Sequence, residues 1–153
     1  MRWLELKVPP PIVVLTTAFL MWLASSLVSP LSVPFNVRAS IAVVLACVGA
    51  AIDVLAIVTF RRARTTVNPM KPRAVSTLVT SGVFGFSRNP MYLGLVLYLV
   101  AWAVYLSNWL SVWLVPLFVL YIDRFQIAPE ERVLESIFGE RYATYKATVG
   151  KWL

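Results

Sequence analysis

Two short clusters hold most of the residues in this chain whose types and spacing suit chemistry. The first is Ser87-Arg88-Asn89-Pro90-Met91-Tyr92-Leu93-Gly94, which joins a basic loop to an apolar run. The second reads Pro129-Glu130-Glu131-Arg132, then Phe138-Gly139-Glu140, then Tyr142 and Tyr145. Polar and charged groups beside an apolar region carry a desolvation cost unless they are paired or bind something. Glu130-Glu131 is the only adjacent acidic pair. The chain has no histidine and one cysteine, Cys47. Zinc, haem and Cys-His or Ser-His chemistry therefore lack their usual ligands and bases, and no metal site is expected.

The elements that must position these clusters are apolar. Of the 153 residues, 59% are hydrophobic and 14% are charged. A soluble domain is nearer 45–50% apolar, with about 25% charged. Four apolar stretches stand out: Ile12–Val28, Ala39–Phe60 with one charge at Asp53, Met91–Leu106 and Trp109–Ile122. A crossing takes about 20 residues, so the last two are short and recruit flanking Tyr92, Tyr105, Trp109 and Tyr121 at the interfaces. The first stretch has a basic start, like a signal peptide. Its apolar run exceeds the usual 7–15 residues, and it reads as a span.

Charge placement gives the topology. All of the 14 basic residues except Arg38 fall before the first stretch, between the second and third, or after the fourth. With four spans and a cytoplasmic N-terminus, those residues face the cytoplasm, as the positive-inside rule expects. That asymmetry also accounts for the net charge of +7 without invoking nucleic acid.

The connections fill in the architecture. Pro9-Pro10-Pro11 favours an extended lead that ends by starting a helix. The first two spans are expected to form an antiparallel pair. Thr65–Pro69 and Lys71-Pro72 are turn-forming, and Leu78–Phe86 reads as a loop packed on the membrane edge or on a ligand. Ser107-Asn108 makes a tight helical hairpin. Pro129 is expected to break or restart a helix, and Gly139 to divide the amphipathic segment that follows. Cys47 is expected to be buried packing. The fold class is all-α: one polytopic integral-membrane domain over 1–153, with four transmembrane helices and cytoplasmic C-terminal amphipathic helices.

Gly82-Val83-Phe84, Ser87–Gly94, Glu130-Glu131, Leu134, Phe138-Gly139-Glu140, Tyr142, Tyr145 and Val149, in that order, resemble the isoprenylcysteine carboxyl methyltransferase family. The related membrane phospholipid methyltransferases share the pattern, and the likeness covers about residues 68–150. The resemblance implies an integral-membrane enzyme that uses S-adenosylmethionine and releases S-adenosylhomocysteine. Its cofactor region would comprise 68–94 and 123–150. No strand followed by a glycine-rich turn offers a Rossmann nucleotide site.

The demands of such a cofactor suit the residues. Its carboxylate suits Arg88 and the backbone N–H groups at the start of the third span, where Asn89 and Pro90 lie. Its ammonium and ribose hydroxyls suit Glu130 and Glu131. Its adenine suits walls such as Phe84, Phe86, Tyr92 and Leu93. Gly82 belongs to the motif, and Gly94 permits close approach. Eukaryotic-type members carry histidine where this chain has Asn89, so a titrating role does not transfer. Asp123 and Arg124 are expected on the acceptor side, where the resemblance puts an arginine on the substrate headgroup. With Glu131 they are the candidate catalytic residues, and an ordinary interfacial role for Asp123 and Arg124 is the alternative. Asp53, an acid inside a span, is a functional candidate by default, with pairing to an arginine as the other reading.

The function these readings imply is methyl transfer, in the cell's inner membrane, to a lipophilic acceptor entering from the bilayer. The acceptor would be a prenylated substrate with an isoprenylcysteine-like carboxylate, or a membrane lipid headgroup. The rival is a non-catalytic tetraspan protein that binds lipid or serves as a structural partner; it predicts no S-adenosylmethionine binding.

Overall fold

The computed structural model describes residues 5–63 and 77–153. Among them there are helices and no strand. The turn-forming stretch expected at 65–72 lies outside the described residues.

Most helix ends fall at residues whose types suit them. α1 (Pro10–Ser25) has proline in its first turn, where a missing N–H costs nothing. α2 (Phe35–Arg62) follows Pro34 and ends in Arg61 and Arg62, cations that suit a helix C-terminus. A 3₁₀ turn, Gly82–Gly85, precedes α3 (Pro90–Leu106), which stops at Ser107 in the left-handed conformation (φ +51°). Asn108 caps α4 (Trp109–Val112): its Oδ1 accepts from the Leu110 and Ser111 amides at 2.9 and 3.3 Å. After a turn at Trp113 come α5 (Leu114–Ile122), a π turn (Asp123–Ile127) and α6 (Ala128–Phe138). Gly139 divides α6 from α7 (Glu140–Thr148) at φ +51°, ψ −124°, a conformation that glycine adopts without strain.

Pro129 does not break the chain's helical course, contrary to expectation. Proline lacks the N–H that would bond the carbonyl four residues back, and its ring crowds that carbonyl. The wider π turn just before it makes the room. The carbonyl left over is that of Phe125, and it accepts from the Leu6 amide at 3.0 Å. The N-terminal lead is thus held where the proline freed an acceptor. Gln126 adds a second tie, donating from Nε2 to the Val8 carbonyl at 2.7 Å.

α2 packs along α3. The crossing is close because it uses glycine. A side chain at Gly49 would meet the Gly94 carbonyl at 3.1 Å. α1 lies against α3, α4 and α5. Trp102 of α3 fixes it there, donating from Nε1 to the Ala18 carbonyl at 3.0 Å. The expected antiparallel pairing of the first two spans is therefore corrected: α1 and α2 each pack on α3 rather than closely on one another. Met21, Leu99, Phe118, Ile122 and Ile127 form the core on the α1 side.

The outer faces of α1 and α2 are apolar and open, with Leu15, Phe19, Val43 and Val44 each more than half exposed. Helices apolar all round suit a bilayer rather than water. Cys47 is on this open face, not buried. Two helical stretches are long and apolar enough to cross a membrane, Phe35–Arg62 and Trp109–Phe138. α1 and α3 are apolar but shorter, at 16 and 17 residues.

Candidate functional site

A cavity of about 300 Å³ opens where the two sequence clusters meet, at the starts of α1, α3 and α6. That is the small end of the range for ligand sites. Arg88, Asn89, Pro90, Met91 and Tyr92 line it from the first cluster, and Glu130, Glu131, Leu134, Tyr142 and Tyr145 from the second. Pro10, Pro11, Asp53, Phe60, Thr77, Leu78, Val79, Phe84 and Leu95 complete the wall.

The Ser87–Pro90 turn is held by the C-terminal segment. The Arg88 amide donates to the Gly150 carbonyl at 3.0 Å, and Asn89 donates from Nδ2 to the Lys151 carbonyl at 3.0 Å. The Asn89 amide donates to Ser87 Oγ at 3.1 Å. Asn89 thus serves as a strut. No side chain caps α3; the Leu93 amide donates to the Asn89 carbonyl at 3.0 Å, and the Met91 and Tyr92 amides have no partner among the described residues.

Arg88 is buried and nearly spent. Its Nε and Nη2 donate to Glu131 Oε1 at 3.2 and 2.8 Å. Its Nη1 donates to the carbonyls of Lys146 and Val149. These bonds use most of a guanidinium's five donors. Arg88 orients Glu131 and ties down the end of the chain, which leaves little of it for a ligand carboxylate.

Glu130 accepts from the Tyr92 hydroxyl at 2.6 Å on Oε1. It lies well beyond Ile122, where the apolar part of its helical rod ends. Burial pushes its carboxyl up to about 8; the Tyr92 hydrogen bond opposes that rise and the charge on Glu131 adds to it. Glu130 therefore holds its proton near neutral pH until a cation or further donors arrive. Each glutamate has an oxygen, Oε2, that takes no hydrogen bond from the described residues. Apolar walls stand opposite. Phe84 packs edge-on against Phe60, ring centroids 4.8 Å apart. The Tyr145 hydroxyl donates to the Phe84 carbonyl at 2.7 Å and pins the 3₁₀ turn; burial pushes that phenol up to about 12, with Arg88 opposing.

Among the expected site residues, the structure brings together Phe84, Arg88, Asn89, Pro90, Tyr92, Glu130 and Glu131. Gly82, Leu93 and Gly94 do not line the cavity. Gly82 supports it, at φ +62° with Thr59 against it, and Gly94 faces Asp53. Phe86 points outward, 78% exposed, so it does not wall an adenine pocket. Asp123 and Arg124 also stand outside. They lie on the π turn, where Asp123 accepts from Lys151 Nζ at 2.7 Å, an ion pair about one third exposed to solvent. Asp53 lines the cavity and accepts from Tyr98, with no arginine partner among the described residues. Sequence reasoning missed Pro10, Pro11 and the Val149–Lys151 strap, whereas the reading of Leu78–Phe86 as a loop packed on a ligand agrees with Leu78, Val79 and Phe84 in the wall. The only signal for the strap was the placement of Val149 at the end of the motif.

The described residues form an all-helical fold with a carboxylate-lined cavity at one end of apolar helices. The phospholipid methyltransferase family pattern matches residues 37–141, and the chain belongs to that family. Membership points to a membrane methyltransferase. Among similar proteins, one from Haemophilus influenzae, named only "Uncharacterized protein", is 53% identical over 64 residues, 41% of this chain and all of that one. The protein-S-isoprenylcysteine O-methyltransferase of Schizosaccharomyces pombe is 32% identical over 72 residues, 47% of this chain and 30% of that enzyme. No solved structure matches.

Proposed function

We propose that this protein is an integral-membrane methyltransferase that takes its methyl group from S-adenosylmethionine and gives it to a lipophilic acceptor. The observation that carries this reading is the cavity's mix of groups. The Glu130-Glu131 pair, the uncapped start of α3 and the Phe84–Phe60 wall meet in one small space. They fit a ligand with an ammonium, a carboxylate, hydroxyls and a flat apolar ring. Glu130 and Glu131 would hold the ammonium and the ribose hydroxyls through the oxygens the protein leaves unused. The first-turn amides of α3, rather than Arg88, would hold the carboxylate.

When bound, the cofactor supplies an electrophilic methyl on a cationic sulfur. The chain supplies position and dryness. Arg88 fixes Glu131, Tyr92 fixes Glu130, and the tyrosines of α7 close the polar end against water. Asp123, paired with Lys151, is better read as an anchor of the C-terminal segment than as a catalytic group, and Arg124 is exposed outside the cavity.

The acceptor's path is the gap over α3. α1 and α2 do not pack closely on one another there, and Pro10 and Pro11 on one side face Asp53 and Phe60 on the other across the cavity. A lipid tail fits such a gap, and a prenylated carboxylate and a lipid headgroup both remain acceptors of suitable shape. In this reading α1, α2, α3 and the first half of Trp109–Phe138 are the four spans. Both ends of the chain then face the cytoplasm, with Arg38 as the lone basic residue across the membrane.

The test is transfer of label from methyl-tritiated S-adenosylmethionine by the purified protein, in vesicles made from total bacterial lipid. Label in the lipid phase above a boiled control is expected. Absence of label, together with no protection of the protein by S-adenosylhomocysteine against thermal unfolding, overturns the reading in favour of a non-catalytic membrane protein.

A further inference from the structure

Three consecutive residues of α6 each reach a different part of the molecule. Glu130 accepts from Tyr92 of α3, Glu131 pairs with Arg88 of the turn before α3, and Arg132 pairs with Glu5 of the N-terminal lead. Otherwise α6 packs closely on its own chain neighbours, the π turn and α7. It is therefore held over the cavity chiefly by side-chain ties. The lead supplies more than one of them. The Leu6 amide donates to the Phe125 carbonyl on the π turn, and Val8 accepts from Gln126 there. At Pro9 the lead runs into α1, whose Pro10 and Pro11 wall the cavity together with Glu130, Glu131 and Leu134 of α6.

The docked lead carries two costs. Leu6 sits in the left-handed region at φ +55°, where a branched side chain is strained. Gln126 is fully buried, and its Oε1 has no hydrogen-bond partner among the described residues. A buried acceptor left unpaired is destabilising. Both costs vanish when the lead lifts away, because Leu6 regains a negative φ and water reaches Gln126. Against them stand two hydrogen bonds and one ion pair, and the Arg132 side chain is 51% exposed. A pair so open to water contributes little. The docked and released states are thus close in energy, which is the condition for a two-state element. Pro9, Pro10 and Pro11, each with a fixed φ, pass a movement of the lead on to the cavity wall rather than absorbing it.

We infer that residues 5–9 form a latch across the seam between α1 and α6, with Glu5 and Arg132 as its clasp, and that its release lets ligand in and out of the cavity. The ligand used to test it rests on the methyltransferase reading; the latch itself does not. The latch lies outside the cavity's lining, so it acts as a gate. Loosening it speeds entry and exit alike and leaves affinity unchanged, provided the docked state still prevails.

The test follows exchange of tritiated S-adenosylhomocysteine on the full chain in detergent, with association and dissociation rates measured separately. Glu5→Gln and Arg132→Gln should each raise both rates by about threefold, the scale of a half-exposed ion pair. Kd should stay within twofold of wild type. Leu6→Pro removes the amide donor and forbids the left-handed φ, and should raise both rates by about tenfold. Exchanging the charges, Glu5→Arg with Arg132→Glu, should restore the wild-type rates, which simple loss of stability would not do. A second measurement needs no ligand: with Leu134→Cys in a Cys47→Ala background, a maleimide should label the cavity thiol faster once Glu5→Gln is added. Unchanged exchange and labelling in Glu5→Gln overturn the latch. So does faster dissociation alone, with Kd weakened in proportion, because the lead would then belong to the binding site. Failure of the wild-type protein to bind S-adenosylhomocysteine counts against the methyltransferase reading instead, and the labelling rates then decide the latch.

Discussion

The two ends of the helix bundle hold buried polar groups that behave differently. At the hairpin end, Asn108 donates from Nδ2 to the Val28 carbonyl while its Oδ1 caps α4. Ser107 Oγ donates to the Leu31 carbonyl, Ser111 Oγ to the Met21 carbonyl, and the Leu31 amide returns a bond to Ser107. Apart from Arg38 Nε, these groups are used up in joining α1 and its following loop to the turn between α3 and α4. At the cavity end, Glu130, Glu131 and Asp53 each have an oxygen that the described residues do not bond. Both ends bear the cost of burying polar atoms. A satisfied cluster staples the fold, and one left partly open is arranged for a ligand.

Substitutions at the two ends should therefore separate stability from binding. The largest effect is expected from Arg88→Ala, which belongs to both categories. It strands Glu131 in a site where both side chains are about nine-tenths buried, and it unties the C-terminal strap. Breaking such a pair costs about 3–5 kcal/mol. Thermal unfolding in detergent should show a large loss of stability, and S-adenosylhomocysteine binding should disappear with it. Asn108→Ala comes next: it removes a cap and leaves the Val28 carbonyl without its donor, at about 1–3 kcal/mol. The melting temperature should fall while S-adenosylhomocysteine affinity stays unchanged. Reduced affinity in this variant would break the comparison.

Glu130→Gln should do the reverse. The unfolded chain loses the Glu130 proton near pH 4.5, whereas the folded chain keeps it to about pH 8. The unfolded state thus binds fewer protons in between, and Glu130 makes stability fall as pH rises across that window. Removing the ionisable group removes that loss. The variant should melt at the wild-type temperature near pH 5 and several degrees above it at pH 8, measured without ligand. Its affinity for S-adenosylhomocysteine should drop by more than about 1 kcal/mol, the scale of one charge-assisted bond. The smallest effect is expected from Tyr145→Phe, which frees the Phe84 carbonyl for about 1 kcal/mol of stability and weakens binding only through the looser 3₁₀ turn.

The sequence was legible where local chemistry decides the outcome. Proline starts, the Ser107-Asn108 hairpin and the glycine break at 139 follow from backbone preferences, and the structure has all three. The meeting of the two motif clusters followed from the family resemblance. What stayed hidden depends on partners distant in sequence. Asp123 looks like an acceptor-side acid until Lys151 is seen beside it, and Arg88 looks free until Glu131 and the C-terminal carbonyls engage it. Pro129 was misread because the compensating acceptor bond comes from Leu6, at the other end of the chain. Pairing of α1 with α2 was the natural guess for adjacent spans, but Gly49, Gly94 and Trp102 direct both onto α3 instead.

The central claim is that the open carboxylates form a ligand site while the satisfied amide cluster is structural. Calorimetric titration of S-adenosylhomocysteine into the purified wild-type, Asn108→Ala and Glu130→Gln proteins tests it most directly. Saturable binding to wild type and Asn108→Ala with equal affinity, and at least fivefold weaker binding to Glu130→Gln, is the result expected. No binding to the wild-type protein at millimolar ligand, or equal affinity in all three proteins, contradicts it.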